Sequence, residues 1–284
     1  GRGGFGGSIV GDVILKGKKQ FWERGANYFY HRGMAAGENT VEGPITRLVT
    51  NSMTENKKFD IDDIHKRYIT LMTTPDAHND TYCGTGHRMF FANWAKGVEP
   101  RKCPANDGHN TDALDGLTNL PPVVFFSMAT GNNSEQNVKD CVSLFRDSAE
   151  LRKYAPVVSA LLVSLVNGTP LRDAISSTGS IMGINVPRSV EQSREDPMTA
   201  CYLSSSFPSM LHFAYKYAEN PRAGMLANAN TGGENVARGA VLGAVYGAGV
   251  GMKAWDDELI KGLVKHREIQ IEIENFIKVL ESLG

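Results

Sequence analysis

The chain has 284 residues, enough to bury a sizeable core in one large helical domain or two small ones. Its 30 Lys and Arg against 31 Asp and Glu leave a net charge of -1, so no basic field exists to draw nucleic acid or an anionic membrane. Cys83, Cys103, Cys141 and Cys201 stand far apart with no Cys-x-x-Cys pair, which argues for a reducing compartment and against a disulfide framework or zinc ribbon.

The apolar runs at 157–166 and 240–250 fall short of the roughly 20 residues a membrane span needs. The start of the chain has no apolar stretch of signal-peptide type, so the expected location is cytoplasmic. The reading takes residues 1–284 as a single domain with a flexible end at 1–7. The glycines of that end lack the Gly-Lys-Ser/Thr that would make a phosphate loop.

Asp12 follows small residues spaced four apart at Gly7 and Gly11. Residues 21–36 mix aromatics with His31 and Arg32 and lead into Glu38. Residues 44–53 read as a helix, and Asp60 caps another in which Ile61, Ile64, Tyr68, Leu71 and Met72 keep helical spacing. A helix over 82–94 carries His87 and Arg88. Residues 97–110 form a Pro- and Gly-containing loop ending at Gly108-His109-Asn110-Thr111-Asp112, and Pro121-Pro122 reads as a stop.

Ser134 caps a run with Val138, Cys141, Val142 and Phe145 on one side. Residues 156–166 are apolar nearly all round, which predicts a buried helix. Asn167-Gly168 ends it and Thr169-Pro170 starts the next. Another begins at Ser206-Phe207-Pro208, with Leu211, Ala214, Tyr215 and Ala218 as its stripe. Asp256 or Asp257 caps a helix that turns Leu259, Ile260, Leu263 and Val264 inward. Ile269, Ile271 and Ile273 alternate as in a strand, but Phe276, Ile277 and Leu280 restore helical spacing, so the last segment is read as helix. The fold class is all-α.

Residues 228–251 organise the rest. A polar turn at 228–235 with Gly232-Gly233 precedes a helix whose Gly239, Gly243, Gly247 and Gly251 share a stripe. Each glycine costs roughly 1 kcal/mol in a helix interior, so the stripe predicts close approach of a second backbone. Gly233-Glu234-Asn235 repeats Gly37-Glu38-Asn39-Thr40 near the other end of the chain. Ordinary helix capping is the plainer account of either copy alone; for the pair, one shared site is favoured. Glu38, Asn39, Thr40, Glu234 and Asn235 offer only oxygen ligands, which suit a hard cation such as Mg²⁺ or Ca²⁺. Asp12 or Asp112 would add the carboxylate that makes such a site credible. His109 is the histidine best placed to meet a ligand. Arg238, one turn after Glu234, is read as its ion-pair partner or as an anion-binding group.

Gly232-Gly233-Glu234-Asn235 followed by Gly239-Ala240 resembles the last motif of the ADP-ribosylglycohydrolase family, a Gly-Gly-Asp-Thr-Asp-Thr loop before a Gly/Ala helix. Gly11-Asp12 is similar to the family's Gly-Asp motif, and Gly37-Glu38-Asn39-Thr40 to its Thr-Asp-Asp-Thr motif. Residues 110–112, followed by Pro121, resemble its middle substrate-contacting stretch. The resemblance spans roughly residues 8–251.

It implies an ADP-ribose-like ligand near His109, Asn110, Asp112, Gly232 and Gly233, and a pair of Mg²⁺ ions that position a ribose and an attacking water. The four aspartate positions read here as Glu38, Asn39, Glu234 and Val236, so four carboxylates become two and one ligand becomes a hydrocarbon. The expectation is at most one Mg²⁺, held by Asp12, Glu38, Asn39, Thr40, Glu234 and Asn235. Any surviving hydrolysis would fall to Glu38 and Glu234. The Glu-Asn form of both motifs, with His31-Arg32-Gly33 and Asp80-Thr81-Tyr82, resembles a narrower branch that contains the jellyfish J-type lens crystallins and selenoprotein J. That branch implies a structural lens protein with little or no hydrolase activity, the alternative being a Mg²⁺-dependent hydrolase of ADP-ribosyl linkages. A homodimer is the expected assembly, although the size also suits a monomer.

Overall fold

The computed structural model describes residues 9–22, 30–131 and 134–284, with Ser134 and Ala254 by backbone alone. The flexible end read at 1–7, part of the aromatic stretch at 21–36 and the capping side chain of Ser134 lie outside the described residues. Among the described residues there are thirteen α-helices and no strand, so the protein is all-α.

The first pair of helices follows from local chemistry. α1 (Glu42–Asn56) buries Ile45, Val49 and Met53 and ends at Lys57, whose left-handed backbone returns its N–H to the Met53 carbonyl at 2.9 Å. α2 (Ile61–Thr73) starts under Asp60, whose side chain accepts from the Asp62 and Asp63 amides at 3.1 and 3.2 Å, as a helix cap requires. It turns Ile64, Tyr68 and Met72 inward. α3 (Thr85–Trp94) sinks Phe90 and Phe91 and two basic residues, His87 and Arg88.

α4 (Leu120–Thr130) corrects the reading of Pro121-Pro122. These prolines open a helix instead of stopping one, because the first-turn amides have no intrahelical acceptor to lose. α5 (Ser134–Ser143) and α6 (Ala149–Val166) come next. α6 begins well before Pro156, since the Ser148 hydroxyl caps it by accepting from the Leu151 amide at 3.0 Å. It is amphipathic and not buried all round: Leu151, Val158, Leu161, Leu162 and Leu165 face the core while Val166 is exposed. α7 (Leu171–Ile181) and α8 (Val186–Gln192) lead to α9 (Leu203–Lys216). α9 starts ahead of Ser206 and carries Pro208 inside it.

α10 (Pro221–Thr231), capped by Asn220, occupies much of the stretch read as a polar turn. α11 (Asn235–Val250) then buries Val241, Leu242, Val245 and Tyr246 against α6, α9 and α10. The glycine stripe does not meet a second backbone. A Cβ on Gly247 would have nothing within 4 Å, and one on Gly239 would meet side chains alone, the Asn228 amide at 3.0 Å and Met225 Cε at 3.8 Å. The glycine that lets α10 and α11 close together is Gly224 of α10, where a Cβ would come within 2.2 Å of the Tyr246 hydroxyl. That hydroxyl donates to the Phe213 carbonyl at 2.8 Å.

α12 (Asp257–Lys261) is capped by Asp256 and is shorter than expected, leaving Val264 exposed. α13 (His266–Leu283) is helical throughout and lies against α1 and α4. No described helix is long and apolar enough to cross a membrane.

Candidate functional site

The second motif loop is fixed by backbone strain and one buried cation. Gly232 and Gly233 take φ of 75° and 66°, a region side chains disfavour. A Cβ on Gly233 would also strike the Thr199 carbonyl at 2.4 Å. That same carbonyl accepts from the Glu234 amide at 2.9 Å. Arg238 is fully buried and gives its guanidinium to Asn228, to the Gly232 carbonyl at 3.0 Å and to the Ser209 hydroxyl at 3.2 Å. It makes no ion pair with Glu234, so it clamps the loop and is not held for an anion. The Glu234 carboxylate caps α11 by accepting from the Ala237 amide at 3.1 Å. Burial, with Asp115 and Glu42 nearby, pushes its pKa up to about 7.

The first motif loop is split between two surfaces. Glu38 accepts from the Ala35 amide at 2.6 Å and from the Asn79 side chain at 3.0 Å, and these bonds hold its carboxyl below the usual range. It borders an open groove of about 560 Å³ shared with Arg47, Lys66 and Val264. Asn39 borders that groove as well, and with Thr40 it also lines a cleft of about 600 Å³ together with Asn228, Asn235 and Val236. The structure therefore brings Asn39, Thr40 and Asn235 together. The groups that act on Glu38 and those that act on Glu234 are different sets. Asp12 is exposed and pairs with Lys19 at 3.6 Å.

Four carboxylates, Glu42, Asp80, Asp115 and Glu234, are linked electrostatically through Glu42, and three of them are not in either motif. Glu42 is buried at 9% exposure, one residue beyond the Val41 amide that donates to Asp80 at 2.8 Å. Asp80 is fully buried and also accepts from His31 Nδ1 at 2.7 Å and the Tyr82 amide at 3.0 Å. Asp115 is forked by Arg146 at 2.6 and 2.8 Å. Burial would lift its pKa, but the Arg146 charge holds it below the ordinary value. For Glu42 burial wins: its carboxyl is raised, with Asp80 and Asp115 adding to the effect against a hydrogen bond from Thr40. His31 feels Asp80, Glu42 and Glu234 together, and they raise its pKa against the pull of burial. No motif marks Glu42 or Asp115, and Asp80 enters only through Asp80-Thr81-Tyr82. His31-Arg32-Gly33 and Asp80-Thr81-Tyr82 were the nearest signals in the sequence.

The middle loop is organised by Asp107, which sequence spacing did not single out. It accepts from the His109 and Thr111 amides, at 3.1 and 3.0 Å, and from Asn110 Nδ2 at 2.7 Å. Burial alone would raise its carboxyl; these bonds depress it to about 2. Asn110 is thus spent on the loop. His109 stacks on Tyr202 at 4.4 Å, and Asp112 accepts from the Ser148 hydroxyl at 2.6 Å. Both edge a separate cleft of about 320 Å³. The loop joins α9 through the Leu203 amide, which donates to the Asp112 carbonyl at 3.0 Å.

This donor set is a poor fit for a binuclear magnesium centre. Mg²⁺ demands near-octahedral oxygen at about 2.0–2.1 Å. Here Asp12, Glu38, Asp80 and Asp115 already hold protein partners, and Val236 offers a hydrocarbon. Among the described residues no three His, Cys, Asp or Glu side chains form a group that could hold a metal ion.

Comparison with known proteins places this geometry. A solved ADP-ribosylglycohydrolase-related protein complex is similar at a TM-score of 0.64 and 18% identity, over 98% of this chain and 97% of that one. At that identity the likeness speaks for the fold. A search of the curated proteins returned no match. The family model described as ADP-ribosylglycohydrolase matches residues 2–283. With both Gly-Glu-Asn loops, the Gly/Ala helix and an all-α fold inside that span, the chain belongs to the ADP-ribosylglycohydrolase family.

Proposed function

We propose that this chain is a structural member of its family that has lost the paired-magnesium chemistry, of the lens-crystallin kind its two Glu-Asn motifs resemble. The observation that carries the reading is the division of the first motif. Glu38 is tied to Ala35 and Asn79 at one groove and Thr40 lines the cleft beside Asn235 and Val236, with Asn39 bordering both. A two-ion hydrolase needs carboxylates at those positions to converge on bridging ions. In this reading Mg²⁺ binds weakly and at one site at most. A cytoplasmic location and a homodimer go with it; sedimentation velocity checks the latter.

A second reading, a working hydrolase of ADP-ribosyl linkages, is favoured by Glu234. A partly buried carboxyl that titrates at about 7 suits proton transfer near neutral pH. The deciding experiment incubates concentrated protein and MgCl₂ with arginine- and serine-ADP-ribosylated peptides. The structural reading expects no release of ADP-ribose above buffer. Turnover that Glu234→Ala abolishes would overturn it in favour of the hydrolase.

A further inference from the structure

One buried side chain closes the first motif loop at both ends. Asp80 is fully buried, and it accepts from His31 Nδ1 at 2.7 Å and from the Val41 amide at 2.8 Å. Residues 31 to 41, with Gly37-Glu38-Asn39-Thr40 between them, are therefore cinched on a single carboxyl group. Its neighbour Asn79 holds the middle of the loop, donating to the Gly33 carbonyl at 3.3 Å and to Glu38 at 3.0 Å. The two ends differ in kind. The Val41 end is a backbone amide at the start of α1, a donor that does not titrate. The His31 end is an imidazole on a left-handed residue at φ 64°, a conformation side chains disfavour and keep only where their surroundings hold them. What holds it is the Asp80 bond and an edge-on contact with the Tyr82 ring at 5.8 Å.

We propose that His31 is a proton-operated latch: charged, it draws the first motif loop onto Asp80, and on losing its proton it lets the loop open. A charge-assisted hydrogen bond is about twice as strong as a neutral one, so deprotonation loosens the grip without changing the partner. The charges of Asp80, Glu42 and Glu234, with the Asp80 bond, raise the His31 pKa above its ordinary 6.5 against the pull of burial. The hold is therefore complete below about 6.5 and is lost as pH rises through the higher folded value. Other groups face this pair. Glu42 on α1 is raised and Glu234 at the start of α11 titrates at about 7, so both are rival switches. Burial pushes His78, beside Asp80, down and Tyr82 up, which leaves both neutral in this window. Arg88 acts on Tyr82, Lys18 on Glu38 and His78, and the loop's own charged side chains are Arg32 and Glu38. The inference goes beyond the proposed function and holds for a structural protein and a hydrolase alike.

The test measures amide hydrogen exchange of the full chain at about pH 6 and about pH 8.5, corrected for intrinsic rates, beside an NMR titration of the His31 ring. Ala35 and Glu38 report the loop, since the Ala35 amide donates to the Glu38 side chain at 2.6 Å and the Glu38 amide to the Ala35 carbonyl at 3.2 Å. Their protection should fall about tenfold between the two conditions, the difference between a charged and a neutral hydrogen bond. The step should share its midpoint with the His31 ring, while the amides of α6 stay unchanged. His31→Gln should leave the loop poorly protected at both pH values, and His31→Lys, charged throughout, should keep it protected at both. Glu234→Gln and Glu42→Gln should retain the step. Protection that does not change with pH, a step that survives in His31→Gln, or one that disappears in Glu234→Gln or Glu42→Gln would overturn the proposal.

Discussion

At the scale of single residues, Glu234 and Arg238 sit four positions apart and behave oppositely. Glu234 has its pKa raised by burial to about 7, above the unfolded value near 4.5. The folded state therefore binds the extra proton between about pH 4.5 and 7, and stability falls as pH rises through that window. Glu234→Gln should flatten that part of the profile, by on the order of 1 kcal/mol once partial exposure is discounted. Urea denaturation at stepped pH checks it, and a slope unchanged by the variant would refute the assignment. Arg238 fixes the loop through neutral oxygens alone. Arg238→Met should strand those buried acceptors and cost about 2–4 kcal/mol, read as a lower denaturation midpoint.

Single residues were also where sequence reading succeeded and failed most visibly. Asn39, Thr40 and Asn235, which a repeated tripeptide at two distant places links in the sequence, line one cleft. Glu42, Asp115 and Asp107 were not legible. Each is an ordinary acidic residue in its local context, and only tertiary burial or a gathered set of amide donors sets it apart. Glu42 is a helix's first residue, a position where acidic side chains are routine.

At the scale of elements, the positions of the glycines on α10 and α11 carry unequal weight. Gly247 has space around it, so Gly247→Ala should stabilise by up to about 1 kcal/mol through helix propensity. Gly224→Ala should destabilise by about 2 kcal/mol or more, since its Cβ would collide with Tyr246. Thermal melts of the two variants should shift in opposite directions; equal shifts would show that the helix contact is misdescribed. The stripe of α11 drew attention away from Gly224 because spacing reveals periodicity and not what lies opposite it. α10 was not legible because Asn228, Asn230 and Thr231 are turn-forming residues, whereas the buried Asn228 and the Asn220 cap hold this turn in the helix. Stripes with a clear cap, as in α2 under Asp60, were readable from the sequence.

At the scale of the whole molecule, the first motif loop meets the segment that leads into α13. The Val264 amide donates to the Gly37 carbonyl at 2.9 Å, and Gly37, at φ +83°, would drive a Cβ into the Gly262 carbonyl at 2.0 Å. Gly37→Ala should therefore unseat this contact and cost about 2 kcal/mol, with hydrogen exchange quickening at residues 262–266. Gly37 and Val264 also line the groove that Glu38 borders, whereas Thr40 lines the cleft with Asn235. The family's fold is carried by apolar stripes that tolerate substitution, whereas a two-ion site depends on a few oxygens at fixed places. A chain can keep the first while losing the second. The most direct measurement is anomalous diffraction from crystals soaked in Mn²⁺. The account predicts no ordered ion joining Glu38 to Glu234; two anomalous peaks bridged by those two side chains would contradict it.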